Sequence, residues 1–128
     1  MKTKTKIILG VILILAIGIP MVIWWKDRGT PGKLDTFAQC ITDSGAKFYG
    51  AFWCPHCQAQ KAMFGKSVKL LPYIECSTAN GKGQLQVCID NKITGYPTWE
   101  FKDGSRLSGE VPLATLAEKT SCTLPSGS

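Results

Sequence analysis

Two cysteines three positions apart, Cys54 and Cys57, carry the chemistry of this chain. They stand in the run Trp53-Cys54-Pro55-His56-Cys57, behind the aromatic segment Phe48-Tyr49-Gly50-Ala51-Phe52 and ahead of a helical stretch at 58–66. Thiols at that spacing, where a strand hands over to a helix, are placed for reversible disulfide exchange. The first turn of a helix offers free backbone N–H groups and a partial positive charge. Both favour thiolate over thiol, and the thiolate is the nucleophile.

A structural zinc site is the other use of Cys-x-x-Cys. It needs a second closely spaced pair, and none exists: Cys76 and Cys88 are far apart in sequence, and His56 is the only histidine. Neither a metal nor another cofactor is implied.

The elements that position the dithiol follow from periodicity. Leu34, Phe37, Ala38 and Ile41 recur at helical spacing, predicting a helix over 34–42. Residues 46–52 read as a central strand, apolar on both faces. A second strand is expected at 70–76, with Pro72 making its start irregular. A polar, Gly-rich loop at 77–83 leads to a helix at 84–92, with Leu85, Cys88 and Ile89 on one face. After Gly95-Tyr96-Pro97, strands at 98–102 and 106–110 flank the hairpin signal Asp103-Gly104. Trp99 and Phe101 are expected to divide between core and surface. Pro112 suits the first position of a last helix, with Leu113, Leu116 and Ala117 facing inward. The fold class is therefore α/β: a four-stranded mixed sheet flanked by helices.

The chain has 128 residues, room for one modest domain and an appendage. Residues 7–25 are uncharged and almost wholly apolar, and as a helix would reach roughly 28 Å, the thickness of a bilayer core. Trp24 and Trp25 close the run with interface-loving aromatics. Residues 1–25 therefore read as a transmembrane anchor. The competing reading is a cleaved signal, which lacks an A-x-A-like site here. Residues 26–32 form a linker, 33–124 the folded domain and 125–128 a tail. Six cysteines in so small a domain suit an oxidising compartment, so the domain is expected outside the cell membrane, in the periplasm or at the cell exterior.

The net charge of +6 is concentrated at the start. Residues 1–30 hold five Lys/Arg and one Asp, leaving the rest nearly balanced and without a basic run. No nucleic-acid footprint is present.

Trp53-Cys54-x-x-Cys57 after a strand, with Gly95-Tyr96-Pro97-Thr98 ahead of a hairpin, resembles the thioredoxin fold. The runs FYGAFWCPHCQAQKAMFG, YIEC and GYPTWEFKDG are similar to the thioredoxin-like domain fused to bacterial vitamin K epoxide reductase homologues. The resemblance covers residues 34–124. It implies a cis-proline at Pro97 facing the dithiol, with the Tyr96 backbone pairing to an extended substrate and Trp53, Pro55 and Tyr96 bordering it. Two departures stand out. Many relatives carry a buried acid six residues before the first cysteine, where this chain has Phe48, and the extra N-terminal strand of larger thioredoxins is missing.

On this reading Cys54 is the exposed sulfur that exchanges with substrate, and Cys57 is the more buried partner that resolves the mixed disulfide. His56, by dipole or charge, favours the Cys54 thiolate. The bland alternative makes it a solvated helix residue. Pro-His between the cysteines resembles strongly oxidising periplasmic members of the superfamily.

Fixing Cys54–Cys57 leaves three pairings for Cys40, Cys76, Cys88 and Cys122. Cys76–Cys88 with Cys40–Cys122 is favoured as a pair of structural staples. The rival is that one pair relays electrons.

The expected function is a membrane-anchored, extracytoplasmic thiol–disulfide oxidoreductase that oxidises cysteine pairs in exported proteins. A vitamin K epoxide reductase-like quinone reductase would reoxidise it. The alternatives are a reductase or isomerase, and a binding module that keeps the fold without the exchange.

Overall fold

The computed structural model describes residues 30–127 and, before them, Lys6–Ile8, Gly10, Ile12–Ile14, Ala16, Ile19 and Pro20. The chain divides into two units, Met1–Pro31 and Gly32–Ser128. In the first, the described residues from Lys6 to Pro20 are helical. Most of the span expected at 7–25, with Trp24 and Trp25, lies outside the described residues; among those described, no helix is long and apolar enough to cross a membrane.

The second unit is built in the order α1 (Asp35–Asp43), β1 (Lys47–Gly50), α2 (Pro55–Ala62), a 3-10 segment (Gly65–Leu70), β2 (Tyr73–Glu75), α3 (Gln86–Asp90), β3 (Thr98–Glu100), β4 (Arg106–Ser108) and α4 (Leu113–Thr120). The sheet order is β2-β1-β3-β4. Strand β1 runs parallel to β2 and antiparallel to β3; β3 and β4 form an antiparallel hairpin. This is a four-stranded mixed sheet with helices, the α/β architecture of a thioredoxin-like fold.

Alternation along β1 places the core on both faces of the sheet. Phe48 is fully buried and stacks on its cross-strand partner Trp99, ring centroids 4.6 Å apart. Phe37, Ala38 and Ile41 of α1 and Leu116 of α4 complete that cluster. Tyr49 points the other way and packs with Cys76, Cys88 and Ile93. Trp99 and Phe101 are both buried, because they flank Glu100 on one strand face; the expected division between core and surface does not occur. Glu100 lies on the opposite face, where Lys47 and Arg106 donate to its carboxylate. Burial pushes that carboxyl up, but the two hydrogen-bonded cations outweigh it and hold it below its ordinary value.

Several boundaries move. Strand β1 stops at Gly50 because the chain turns into the dithiol: the Cys54 N–H donates to the Ala51 carbonyl at 3.0 Å. Helix α2 starts earlier than expected because Pro55 at its first position is pre-set for helix. Leu70 belongs to the 3-10 segment, so β2 is only three residues long. Helix α3 is shorter than expected and has no apolar inner face: Cys88 is buried, while Leu85, Val87 and Ile89 are exposed. A covalent tether and the backbone bond from Leu85 N–H to the Cys76 carbonyl, not an amphipathic stripe, hold α3 in place.

That tether is the disulfide Cys76–Cys88; the second bridge, Cys40–Cys122, joins the end of α1 to the chain just after α4. These are the pairs favoured from the sequence. The Asp103-Gly104 turn forms as expected. Gly104 takes φ +80, a left-handed conformation that glycine adopts at no steric cost, and Asp103 Oδ1 accepts from the Ser105 N–H.

Candidate active site

Cys54 is the N-cap of α2, in extended conformation at φ −78, ψ 119. Its carbonyl accepts the first helical hydrogen bond, from Gln58 N–H at 3.1 Å. Cys57 sits one turn in. Both sulfurs are free thiols in this structure. Cys57 is wholly buried, and Cys54 retains only 5% exposure. The expected exposed sulfur at Cys54 is not found: both cysteines are buried, Cys57 the more completely. The cover of Cys54 comes from the loop ahead of β3: the thiol lies 3.7 Å from the carbonyl oxygen of Tyr96, which packs against the cluster of Ala51, Cys54 and Cys57.

The Tyr96–Pro97 peptide is cis, and Pro97 is buried. The loop is pinned on both sides. Thr98 Oγ1 donates to the Gly95 carbonyl at 2.8 Å, and the Gly109 N–H donates to the Pro97 carbonyl at 2.9 Å. Tyr96 Oη accepts from Gln84 Nε2 at 2.7 Å. Trp53 stands edge-on to Tyr96, with its indole N–H donating to Ser77 Oγ at 2.8 Å. Phe52 and Trp53 remain about half exposed, and Pro55 is exposed beside them. An aromatic rim thus borders the sulfurs.

His56 points outward. Its Nδ1 lies 2.8 Å from Glu110 Oε1, at the end of the β3–β4 hairpin. Nothing in the sequence pairs these residues, which are 54 positions apart. Gln60, also unremarked in the sequence, is fully buried one helical turn past Cys57. It clamps Val111 by accepting from its N–H and donating to its carbonyl. This clamp ties α2 to the chain that carries Glu110.

Burial pushes the Cys57 thiol up to about 12, the adjacent Cys54 adds to the rise, and the Ala51 backbone and Lys61 oppose it. Beneath Cys57 is Gly50. A Cβ there would stand 2.9 Å from Cys57 Sγ, 2.8 Å from Tyr73 Cε2 and 3.3 Å from Tyr73 Oη. The bare glycine therefore lets a tyrosine ring lie beside the buried sulfur. Tyr73 donates to Glu75 Oε2 at 2.9 Å, and Lys61 Nζ sits 3.3 Å above the Tyr73 ring. Glu75 Oε1 in turn accepts from the Phe52 and Ser77 N–H groups. These residues escaped the sequence reading. The signal was there: Tyr73 and Glu75 are two apart on a strand, so they share a face.

Cys76 and Cys88 are buried and bonded to each other, and Cys40 is bonded to Cys122, so none of the four is a free thiol here. Among the described residues, no group of three or more His, Cys, Asp and Glu is placed to hold a metal ion.

A dithiol at a helix N-terminus, fed by a central strand and faced by a cis-proline loop, on a four-stranded mixed sheet, is the arrangement of a thioredoxin-like fold. The chain is 47% identical over 91 residues to the thiol-disulfide oxidoreductase LTO1 of Arabidopsis thaliana, a match covering 68% of this chain and 24% of that protein. It is 36% identical over 92 residues to a thioredoxin domain-containing protein 5 homologue of Drosophila melanogaster, covering 60% and 21%. The chain thus spans less than a quarter of the length of these relatives. No family model matches it.

Proposed function

We propose that this protein oxidises cysteine pairs in exported proteins through the Cys54–Cys57 disulfide. The observation that carries the reading is the placement of Cys54 at the start of α2, against the Tyr96–Pro97 loop. A substrate thiolate attacks Cys54 Sγ in the closed disulfide, and Cys57 leaves. The second substrate thiol then attacks the mixed disulfide, and Cys54 leaves with both electrons. The half-exposed Phe52 and Trp53 supply an apolar rim suited to unfolded chains.

The oxidising direction is supported by Pro-His between the cysteines and by the two further disulfides, which persist in oxidising compartments. We place the domain outside the cell membrane, anchored through residues 7–25. Recharging then falls to a quinone reductase of the vitamin K epoxide reductase type in the same membrane, a partner suggested by the resemblance of the dithiol, YIEC and GYPTWEFKDG runs.

The test is oxidation of a reduced, unfolded protein by the purified chain. Wild type is expected to restore its disulfides and Cys54→Ser to be inert. Full activity in Cys54→Ser would refute the proposal. A reduction potential near thioredoxin's, about −270 mV, would reverse the direction in favour of a reductase.

A further inference from the structure

Cys57 must shed a proton each time it attacks and regain one each time it leaves, yet its side chain is closed to solvent. The acid that many thioredoxin-like proteins would place beneath it is replaced by Phe48, which is spent on stacking with Trp99. Another pair of groups occupies the space. Cys57 Sγ and Tyr73 Oη lie 2.9 Å and 3.3 Å from the point where a Gly50 Cβ would stand, which keeps them within about 6 Å of each other, the reach of one bridging water molecule. The phenol already donates to Glu75, a half-buried carboxylate held by two backbone N–H groups at the sheet end.

The geometry points to Tyr73 and Glu75 as the proton path of Cys57, with Tyr73 as the group that meets the sulfur and Glu75 as the carboxylate behind it. This deepens the exchange reading above and rests on it. When Cys57 attacks, its thiol proton passes to Tyr73 Oη as the phenolic proton passes to Glu75 Oε2. The thiolate forms the Cys57–Cys54 bond, the Cys54–substrate bond breaks, and the electron pair leaves on the substrate sulfur. When Cys57 is the leaving group, the same protons run backwards. Glu75, partly open to solvent, then re-equilibrates with water.

Burial, and next the hydrogen bond to Glu75, raise the Tyr73 phenol above its ordinary value, so it stays protonated and able to relay. The titratable and charged groups around Cys57 are Cys54 and Lys61 on α2, with Tyr73 and, behind it, Glu75 on β2. Lys61 over the Tyr73 ring orients it without occupying the oxygen.

The experiment mixes the reduced protein with an aromatic disulfide and follows the coloured thiolate by stopped flow. The first equivalent reports attack by Cys54, the second resolution by Cys57. Tyr73→Phe keeps the ring and is expected to slow the second phase on the order of tenfold or more at neutral pH, leaving the first unchanged. The deficit should narrow as pH rises and hydroxide takes over. Glu75→Gln should slow the second phase too, and the double variant should be no slower than Tyr73→Phe alone. A second phase at wild-type rate in Tyr73→Phe, or both phases slowed in parallel, overturns the relay. A wild-type protein that releases only one equivalent removes the exchange reading itself, and the relay with it.

Discussion

The thiol of Cys54 lies 3.7 Å from the carbonyl oxygen of Tyr96, in the loop that leads into β3. Tyr96 therefore helps to cover this sulfur. Tyr96→Ala should raise the rate at which a small alkylating reagent modifies Cys54 several-fold, because the side chain that packs on the cluster holding Cys54 is gone while the main-chain carbonyl stays. Oxidation of protein thiols should fall in the same variant. Mass spectrometry of the alkylated chain and the refolding assay read the two effects separately; unchanged alkylation would show that Tyr96 is not the cover.

Cys57 makes the reduced protein sensitive to alkali. Its folded-state thiol lies near 12, above the 9.0 of the free group, so between those values the folded state holds a proton that the unfolded state releases. The stabilising contribution is whole below about pH 9 and disappears as pH climbs towards about 12. Denaturant unfolding of the reduced protein should lose stability over that window by up to a few kcal/mol more than Cys57→Ala does. Parallel pH curves for the two proteins would contradict the burial of the thiol.

Gly50 should tolerate no side chain. A methyl there would meet Cys57 Sγ and the Tyr73 ring at under 3 Å, and the Cys57 side chain is wholly buried. Gly50→Ala is expected to cost about 1–3 kcal/mol in denaturant unfolding and to slow resolution of the mixed disulfide. Wild-type stability would mean that the tyrosine ring can swing away.

The Gln60 clamp can be tested the same way. Gln60→Ala leaves the Val111 N–H and carbonyl without their partner in a buried site, so a loss of roughly 2–4 kcal/mol is expected from unsatisfied polar groups and the cavity. Because the clamp fixes the chain next to Glu110, the His56 ring should also lose its ordered environment by NMR. A His56 spectrum unaltered in Gln60→Ala would uncouple the two.

The two bridges should be staples rather than relays. Cys40–Cys122 closes a loop with a sequence separation of 82, and replacing both cysteines by Ser should cost about 4 kcal/mol in the chain-entropy model. Exchange at Cys54, read by the aromatic disulfide, should persist at temperatures where the variant remains folded. Loss of exchange in a folded variant would favour an electron relay.

Much of this was legible because local chemistry dictated it. The 34–42 helix, the Asp103-Gly104 hairpin and the last helix announce themselves by spacing that any tertiary context must respect. The short elements did not. Helix α3 lacks an apolar face, so periodicity misplaced its burial; the Cys76–Cys88 bond and the hydrogen bonds of Gln84 and Leu85 hold it instead. Strand β2 is three residues long, too short for alternation to separate it from the preceding 3-10 segment.

By itself the sequence determined the reactive pair, its place between strand and helix, and the proline loop fit to face it, since those depend on residue type and neighbouring spacing. Only the tertiary structure decided what surrounds the sulfurs. Parallel pairing of β1 with β2 sets Gly50 opposite Glu75 and brings Tyr73 under Cys57, and the hairpin brings Glu110 to His56. Those neighbours come from distant parts of the chain, and the long-range pairing of strands and packing of loops brought them together.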